Sequence, residues 1–189
     1  MAESDGTAGE SGQEGTARRE PPVVARLRER FPEAIEDVTA FRGQLTVRVR
    51  AEAIRAVCTF LRDEPGLEFG MLADLCGVDM LKLRELPRFD VVYHLYSVTR
   101  NQTLRLKAAV DEWGSIDSVT PVWPGANWQE REAYDMFGIV FDGHPDLRRI
   151  LLPDDWHEFP LRKEVAQEGD RAEADRWLAR QGIPVRLTE

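Results

Sequence analysis

The sequence predicts an α+β fold: a mostly antiparallel sheet with helices packed on one face, followed by an extended, irregular C-terminal segment. Three observations predict it. Gln44 to Arg50 and Thr103 to Val110 alternate apolar and polar residues, the period of a half-buried strand. Ile54, Val57, Cys58 and Leu61 recur at i, i+3, i+4 and i+7, the period of an amphipathic helix. The order of expected elements is helix, strand, strand, helix, strand, strand, strand, which is not the regular alternation of a doubly wound nucleotide fold.

Taken in order, Met1 to about Pro22 contains Gly, Ala, Ser, Thr and Glu with almost no large apolar group. Nothing there offsets the entropy of ordering, so a disordered acidic tail is expected over 1–22. Val23, Val24, Leu27 and Phe31 lie near helical spacing, and Pro32 stops the helix. Asp37 to Phe41 is the expected partner of the Gln44 strand, joined to it through Phe41-Arg42-Gly43. Pro65-Gly66 ends the second helix. Leu67 to Asp79 reads as a long strand or a strand with a bulge, and Phe89 to Val98 as a buried strand. The short link Thr99 to Gln102 makes a hairpin of Phe89–Val98 and Thr103–Val110. Pro124-Gly125 marks a turn. Asn127 is the expected N-cap of a helix from Trp128 to Phe137 that Gly138 ends, with a short strand from Ile139 to Phe141. Three prolines between Asp142 and Lys163 imply extended chain. Arg171 to Arg180 has the composition of a polar helix.

Composition excludes several functions. With 189 residues, 42% hydrophobic and 31% charged, the chain suffices for one ordinary core. A net charge of -9 disfavours binding to phosphate backbones or anionic lipid. No apolar run approaches the ~20 residues of a bilayer span, and the N-terminus lacks the pattern of a secretory signal. The two cysteines, Cys58 and Cys76, suit a reducing compartment and are too few for a cluster that usually needs about four thiolates. Neither a G-x-G-x-x-G fingerprint nor a P-loop is present. No cofactor is expected.

Trp123 to Lys163 is the most informative stretch, dense in Trp, Arg, Asp, His and Pro without repeat. On a helical wheel Ala126, Ala133, Tyr134, Met136 and Phe137 share an apolar arc. Glu130 falls inside it; Arg131, Glu132 and Asp135 fall outside. A carboxylate on an apolar face must be paired or hydrogen-bonded. Glu130 is either a general acid or base with a shifted pKa or, the favoured reading, half of a capping box begun by Asn127. Arg148 or Arg149 could also fold back onto it. Paired chemistry with Asp135 is disfavoured, because the two diverge by roughly 140° at about 100° per residue. His94, His144 and His157 lack metal-ligand spacing. His144-Pro145-Asp146 reads as a turn in which imidazole and carboxylate fix the backbone. Arg148, Arg149, Arg162 and Lys163, set among Trp156, Phe159 and Leu161, have the composition of an interface, as do Trp123 and Trp128.

This segment closely resembles the 30 kDa subunit family of respiratory complex I, NADH-quinone oxidoreductase. The residues that carry the likeness are Glu130-Arg131-Glu132, Asp135, Met136-Phe137, His144, Arg148 and Ile150-Leu151, flanked by Gly125 to Trp128, Phe137-Gly138-Ile139, Gly143 to Leu151 and Leu161-Arg162-Lys163. Leu72 to Asp79 and Phe89 to Leu95 resemble the family more loosely. The likeness covers 23–163 as one domain and leaves 164–189 as an extension. The sequence departs from the family at Glu158-Phe159-Pro160, where Gly-His-Pro is usual, and after Glu164.

The resemblance implies a structural subunit of the peripheral arm, with no flavin, cluster or quinone chemistry and no catalytic residues of its own. The complex it would serve passes electrons from NADH to quinone and translocates protons. It implies packing against quinone-site and iron–sulfur subunits, on the cytoplasmic side of a bacterial inner membrane, touching the membrane only through the complex. Trp128, Glu130, Arg131, Glu132, Asp135, His144, Asp146, Arg148, Arg149, Arg162 and Lys163 then form the signature and the expected interface. Two alternatives stay open: the equivalent subunit of a related membrane-bound hydrogenase or formate-oxidising complex, and an independent carboxylate-based enzyme.

Overall fold

The computed structural model describes residues 20–84 and 86–165, together with 176, 178–180 and 182. The acidic tail over 1–19, most of 166–189 and most of the expected polar helix over 171–180 lie outside the described residues. Helix α1 runs Pro22–Arg30 and opens with proline, whose fixed φ suits the first turn and whose missing N–H leaves no donor unmet. Strands β1 (Ile35–Phe41) and β2 (Gln44–Val49) form the expected hairpin. Its two-residue turn needs positive φ twice, and Arg42 and Gly43 sit at 50° and 79°. A single 3-10 turn leads into α2, Ile54–Asp63, whose Ile54, Val57, Cys58 and Leu61 are all buried.

Strand β3 is Met71–Asp79, shorter than the Leu67 start expected, because Leu67 and Phe69 are buried in the turn that precedes it. Its register slips between Leu72 and Asp74, the bulge that its mixed composition allowed. Strands β4 (Phe89–Ser97) and β5 (Gln102–Val110) form the second hairpin. The sheet order is β1-β2-β5-β4-β3. All neighbours are antiparallel except β2 and β5, which are parallel. The chain leaves β2, crosses through α2 to the far edge and meanders back, so its third strand lands beside β2 in the same direction. The sheet is therefore mixed, though mostly antiparallel.

One face of the sheet carries Val47, Val49, Leu75, Phe89, Val91, Tyr93, Leu95, Leu104, Leu106 and Ala108, all buried. These pack with Val24 and Leu27 of α1 and the apolar side of α2 in a single core. Beyond β5 a short strand β6 (Ser115–Asp117), not anticipated from sequence, pairs in parallel with β7 (Val140–Asp142). Between them lies α3, Ala126–Phe137. Its C-terminal end packs on β3 at Gly77, where an added Cβ would lie 2.7 Å from the Phe137 ring.

Candidate functional site

Helix α3 begins two residues earlier than a cap at Asn127 requires. The Trp123-Pro124-Gly125 turn already accepts helical bonds: the Ala126 N–H donates to the Trp123 carbonyl at 2.9 Å and the Asn127 N–H to that of Pro124 at 3.2 Å. Gly125 is the N-cap residue, no side chain caps the helix, and Asn127 lies inside it. The capping-box reading of Glu130 is therefore overturned. So is the alternative that Arg148 or Arg149 reaches it.

Glu130 is fully buried and makes no capping bond to its own helix start. It accepts a 2.6 Å hydrogen bond from the Ser118 hydroxyl and a 2.7 Å bond from the Val119 N–H. It thereby ties α3 to the loop leaving β6. Arg55 lies behind this loop, donating to the Ser118 carbonyl at 3.1 Å and to Asp117 at 2.7 Å. Burial pushes the Glu130 carboxyl up to about 7, against the Ser118 and Val119 hydrogen bonds and the Arg55 charge, which pull it down. Burial is also the main reason that the Cys58 thiol and the Tyr93 hydroxyl are held well above their ordinary range, and the Glu130 charge adds to both.

His144 closes the same corner. Its Nδ1 accepts from the Asp146 N–H at 3.0 Å, which places the ring proton on Nε2, facing the Asn127 carbonyl at 3.2 Å. Nε2 lies 4.0 Å from Glu130. The Arg148 guanidinium donates to Asp146 at 2.9 Å. The imidazole fixes the turn's backbone, as read from the sequence, whereas the Asp146 carboxylate binds the Arg148 side chain.

Asp135 is also fully buried, contrary to its place outside the apolar arc. The wheel located the side of α3 that faces the sheet; residues 147–162 wrap the other side. One Asp135 oxygen accepts from the backbone N–H groups of Ile150, Leu151 and Leu152 at 3.1, 2.8 and 2.9 Å. The other accepts from Arg149 at 2.6 Å. Burial raises the Asp135 carboxyl, but the amides of Leu152 and Leu151, the Arg149 guanidinium and the Ile150 amide outweigh it and hold it below its ordinary value.

The wrapping segment is held at further points. Arg131 donates to the carbonyls of Arg148 and Arg149 at 3.0 and 2.8 Å, and its guanidinium lies over the Trp128 ring at 5.5 Å. Arg162 donates to the Phe137 carbonyl at 2.7 Å. Phe159, at the place of the family departure, lies under the guanidinium groups of Arg149 and Arg162 at 5.2 and 4.7 Å and edge-on to Tyr134. It fits because Gly138 ends α3 at φ 76°, and a Cβ there would come within 2.6 Å of the ring. Arg149 and Arg162 are thus turned inward. Of the four basic residues only Arg148 and Lys163 are exposed, as are Glu132 and Trp128. Trp123 is buried and Trp156 half-buried.

One cluster was missed in the sequence. Arg88 is buried and pairs with Asp79 at 2.9 Å, with Glu112 at 2.8 Å and with Glu164. Glu112 also accepts from Arg162 at 2.9 Å, and Asp79 accepts from the Lys163 N–H at 2.9 Å. These ties join the start of β4 to the end of the wrapping segment. Their partners are 9 to 84 positions apart in sequence, so no local spacing could reveal them. Among the described residues no three His, Cys, Asp or Glu side chains are placed to hold a metal ion.

With this geometry in view, the comparisons with known proteins agree. Residues 47–171 match the family described as respiratory-chain NADH dehydrogenase, 30 Kd subunit. An NADH-quinone oxidoreductase subunit of Roseiflexus sp. (strain RS-1) is 56% identical over 76% of this chain and 82% of its own length. The subunit of the same name from Geobacter metallireducens is 49% identical over 78% of this chain and 90% of its own. A chain in the structure of the membrane-bound sulfane sulfur reductase, an archaeal respiratory membrane complex, superposes with a TM-score of 0.64 at 23% identity. The superposition covers 88% of this chain and 94% of that one, and at this identity speaks for the fold alone. The chain belongs to the 30 kDa subunit family of respiratory-chain NADH dehydrogenase.

Proposed function

We propose that the chain is the 30 kDa-type subunit of an NADH-quinone oxidoreductase and serves the complex as a cofactor-free structural member of its peripheral arm. The observation that carries this reading is the use made of the signature's buried and half-buried charges. Glu130, Asp135, Arg149 and Arg162 all bind backbone groups of the chain itself and so set the path of residues 118–119 and 147–162. Groups arranged in this way hold a surface in shape. That surface presents Trp128, Glu132, Arg148, Leu151, Leu161 and Lys163 outward. Large aromatic and arginine side chains on a rigid support are what a partner interface needs.

The expected partners are the quinone-site and iron–sulfur subunits, and the expected place is the cytoplasmic side of a bacterial inner membrane. No helix among the described residues is long and apolar enough to cross a membrane, in keeping with attachment through other subunits. The test is purification from membranes through a tag on this chain. NADH-oxidising, iron–sulfur and membrane subunits should copurify with NADH:quinone reductase activity. Copurification with nickel–iron hydrogenase or formate-oxidising subunits would overturn the assignment, as would turnover by the isolated chain.

A further inference from the structure

The helices cover one face of the sheet and leave the other half-exposed. On that open face the strand register sets Arg105 directly opposite His94 on β4, and Lys107 directly opposite Arg48 on β2. Lys107 and Arg48 are both cations, and like charges directly opposite each other destabilise a sheet. Arg48 is compensated: Asp90 accepts from it at 3.1 Å and from Arg84 at 2.7 Å. Arg105 and Lys107 have no carboxylate within ion-pair distance among the described residues. Arg105 donates to the neutral Gln44 side chain, and its Nε, shut off from solvent, has no hydrogen-bond partner. Besides Asp90, the acids near the group are at its rim, Asp74 opposite His94 on β3 and, on β1, Asp37 opposite Arg48 with Glu36 beside it. A hollow of about 260 Å³, lined by Gln44, His94, Tyr96, Thr103 and Arg105 among others, opens at this place. His94 is held below its ordinary value first by burial and then by the Arg105 charge.

We propose that this open sheet face docks an acidic segment of a neighbouring subunit, with one carboxylate entering the hollow to bind Arg105 and a second facing Lys107. The inference rests on the reading of the chain as a member of a larger complex. Charge complementarity selects the occupant. A chain of net charge -9 that keeps uncompensated cations on one face presents them to an anion, and the overall charge opposes an anionic membrane as that anion.

Lys107 makes the proposal testable, because the chain has only two other lysines, Lys82 and Lys163. Zero-length carbodiimide coupling in the purified complex should join Lys107 to an Asp or Glu of another subunit. Lys107→Arg should abolish that adduct while every subunit stays present in the same amount. The double reversal R105E/K107E should lower incorporation by at least about tenfold, while the isolated variant melts within a few degrees of wild type. Two results would overturn it. One is normal incorporation of R105E/K107E, with Lys107 labelled by an amine reagent as fast in the complex as in the free chain. The other is normal incorporation together with loss of binding to phosphatidylglycerol vesicles, which would assign the face to lipid. Absence of the wild-type chain from any complex would instead overturn the proposed function.

Discussion

Glu130 and Asp135 stand on one helix, both fully buried, and their charges are treated in opposite ways. Asp135 meets three backbone N–H groups and a guanidinium. Glu130 meets one N–H and one hydroxyl, with the Arg55 charge acting on it from behind the loop. Burial costs both carboxylates, yet one is held below its ordinary range and the other is pushed up to about 7. Burial raises both carboxyls; the three amides and the guanidinium around Asp135 reverse that rise, and the fewer donors at Glu130 do not.

The largest break in this contrast is at Asp135. Asp135→Ala leaves Arg149 and the amides of residues 150–152 without their acceptor, and should destabilise the fold by about 3–5 kcal/mol. Urea unfolding of the isolated chain measures this. Asp135→Asn, which keeps an acceptor oxygen, should lose less.

The second is pH. A carboxyl raised from 4.5 to about 7 binds more protons folded than unfolded between those values. Its contribution is therefore present below about pH 4.5 and is lost as pH rises through about 7, by on the order of 3 kcal/mol. Glu130→Gln should remove this dependence, so its stability relative to wild type should improve from pH 5 to pH 8. Asp135 has the opposite sign: its depressed pKa supplies stability above its ordinary value of 3.8 that is lost as pH falls through the lower folded value. An equal pH profile for wild type and Glu130→Gln would remove the distinction between the two sites.

Glu130→Ala should cost about 1–3 kcal/mol at acidic pH, because the Ser118 hydroxyl and the Val119 amide lose their acceptor. Activity per assembled complex should stay near wild type in both Glu130 variants. A loss above about tenfold in normally assembled Glu130→Gln complex would make the poised carboxylate a proton-transfer group. Gly138→Ala should cost about 1–3 kcal/mol, from positive φ and contact with Phe159, and Phe159→Ala in the same chain should relieve the contact part alone. Smallest is Arg148→Ala. Its pair with Asp146 is exposed, so stability should change by less than about 0.5 kcal/mol, while loss of assembly would mark it as an interface residue.

Elements with a strong local pattern were legible in the sequence. The apolar spacing of α2, the alternation of β2 and β5 and the Arg42-Gly43 turn each arise from forces within a few residues. Gly138 was legible as a helix stop for the same reason. Asn127 misled because its propensity for a cap is real, but the Trp123-Pro124-Gly125 turn had already begun the helix. Strand β6, only Ser115–Asp117, is too short to show a period.

The sequence by itself therefore determined the α+β class, the core faces of the long elements, the His144-Pro145-Asp146 turn and the family likeness. Each depends on neighbours in the chain or on a pattern of residues in order. Only the tertiary structure decided that β5 lies parallel to β2, that Asp135 is buried, that Glu130 holds the Ser118 loop and that Arg88 binds three carboxylates. Those outcomes depend on which distant segment covers a side chain. A helical wheel or a propensity describes one element, whereas burial and pairing belong to the contact between two.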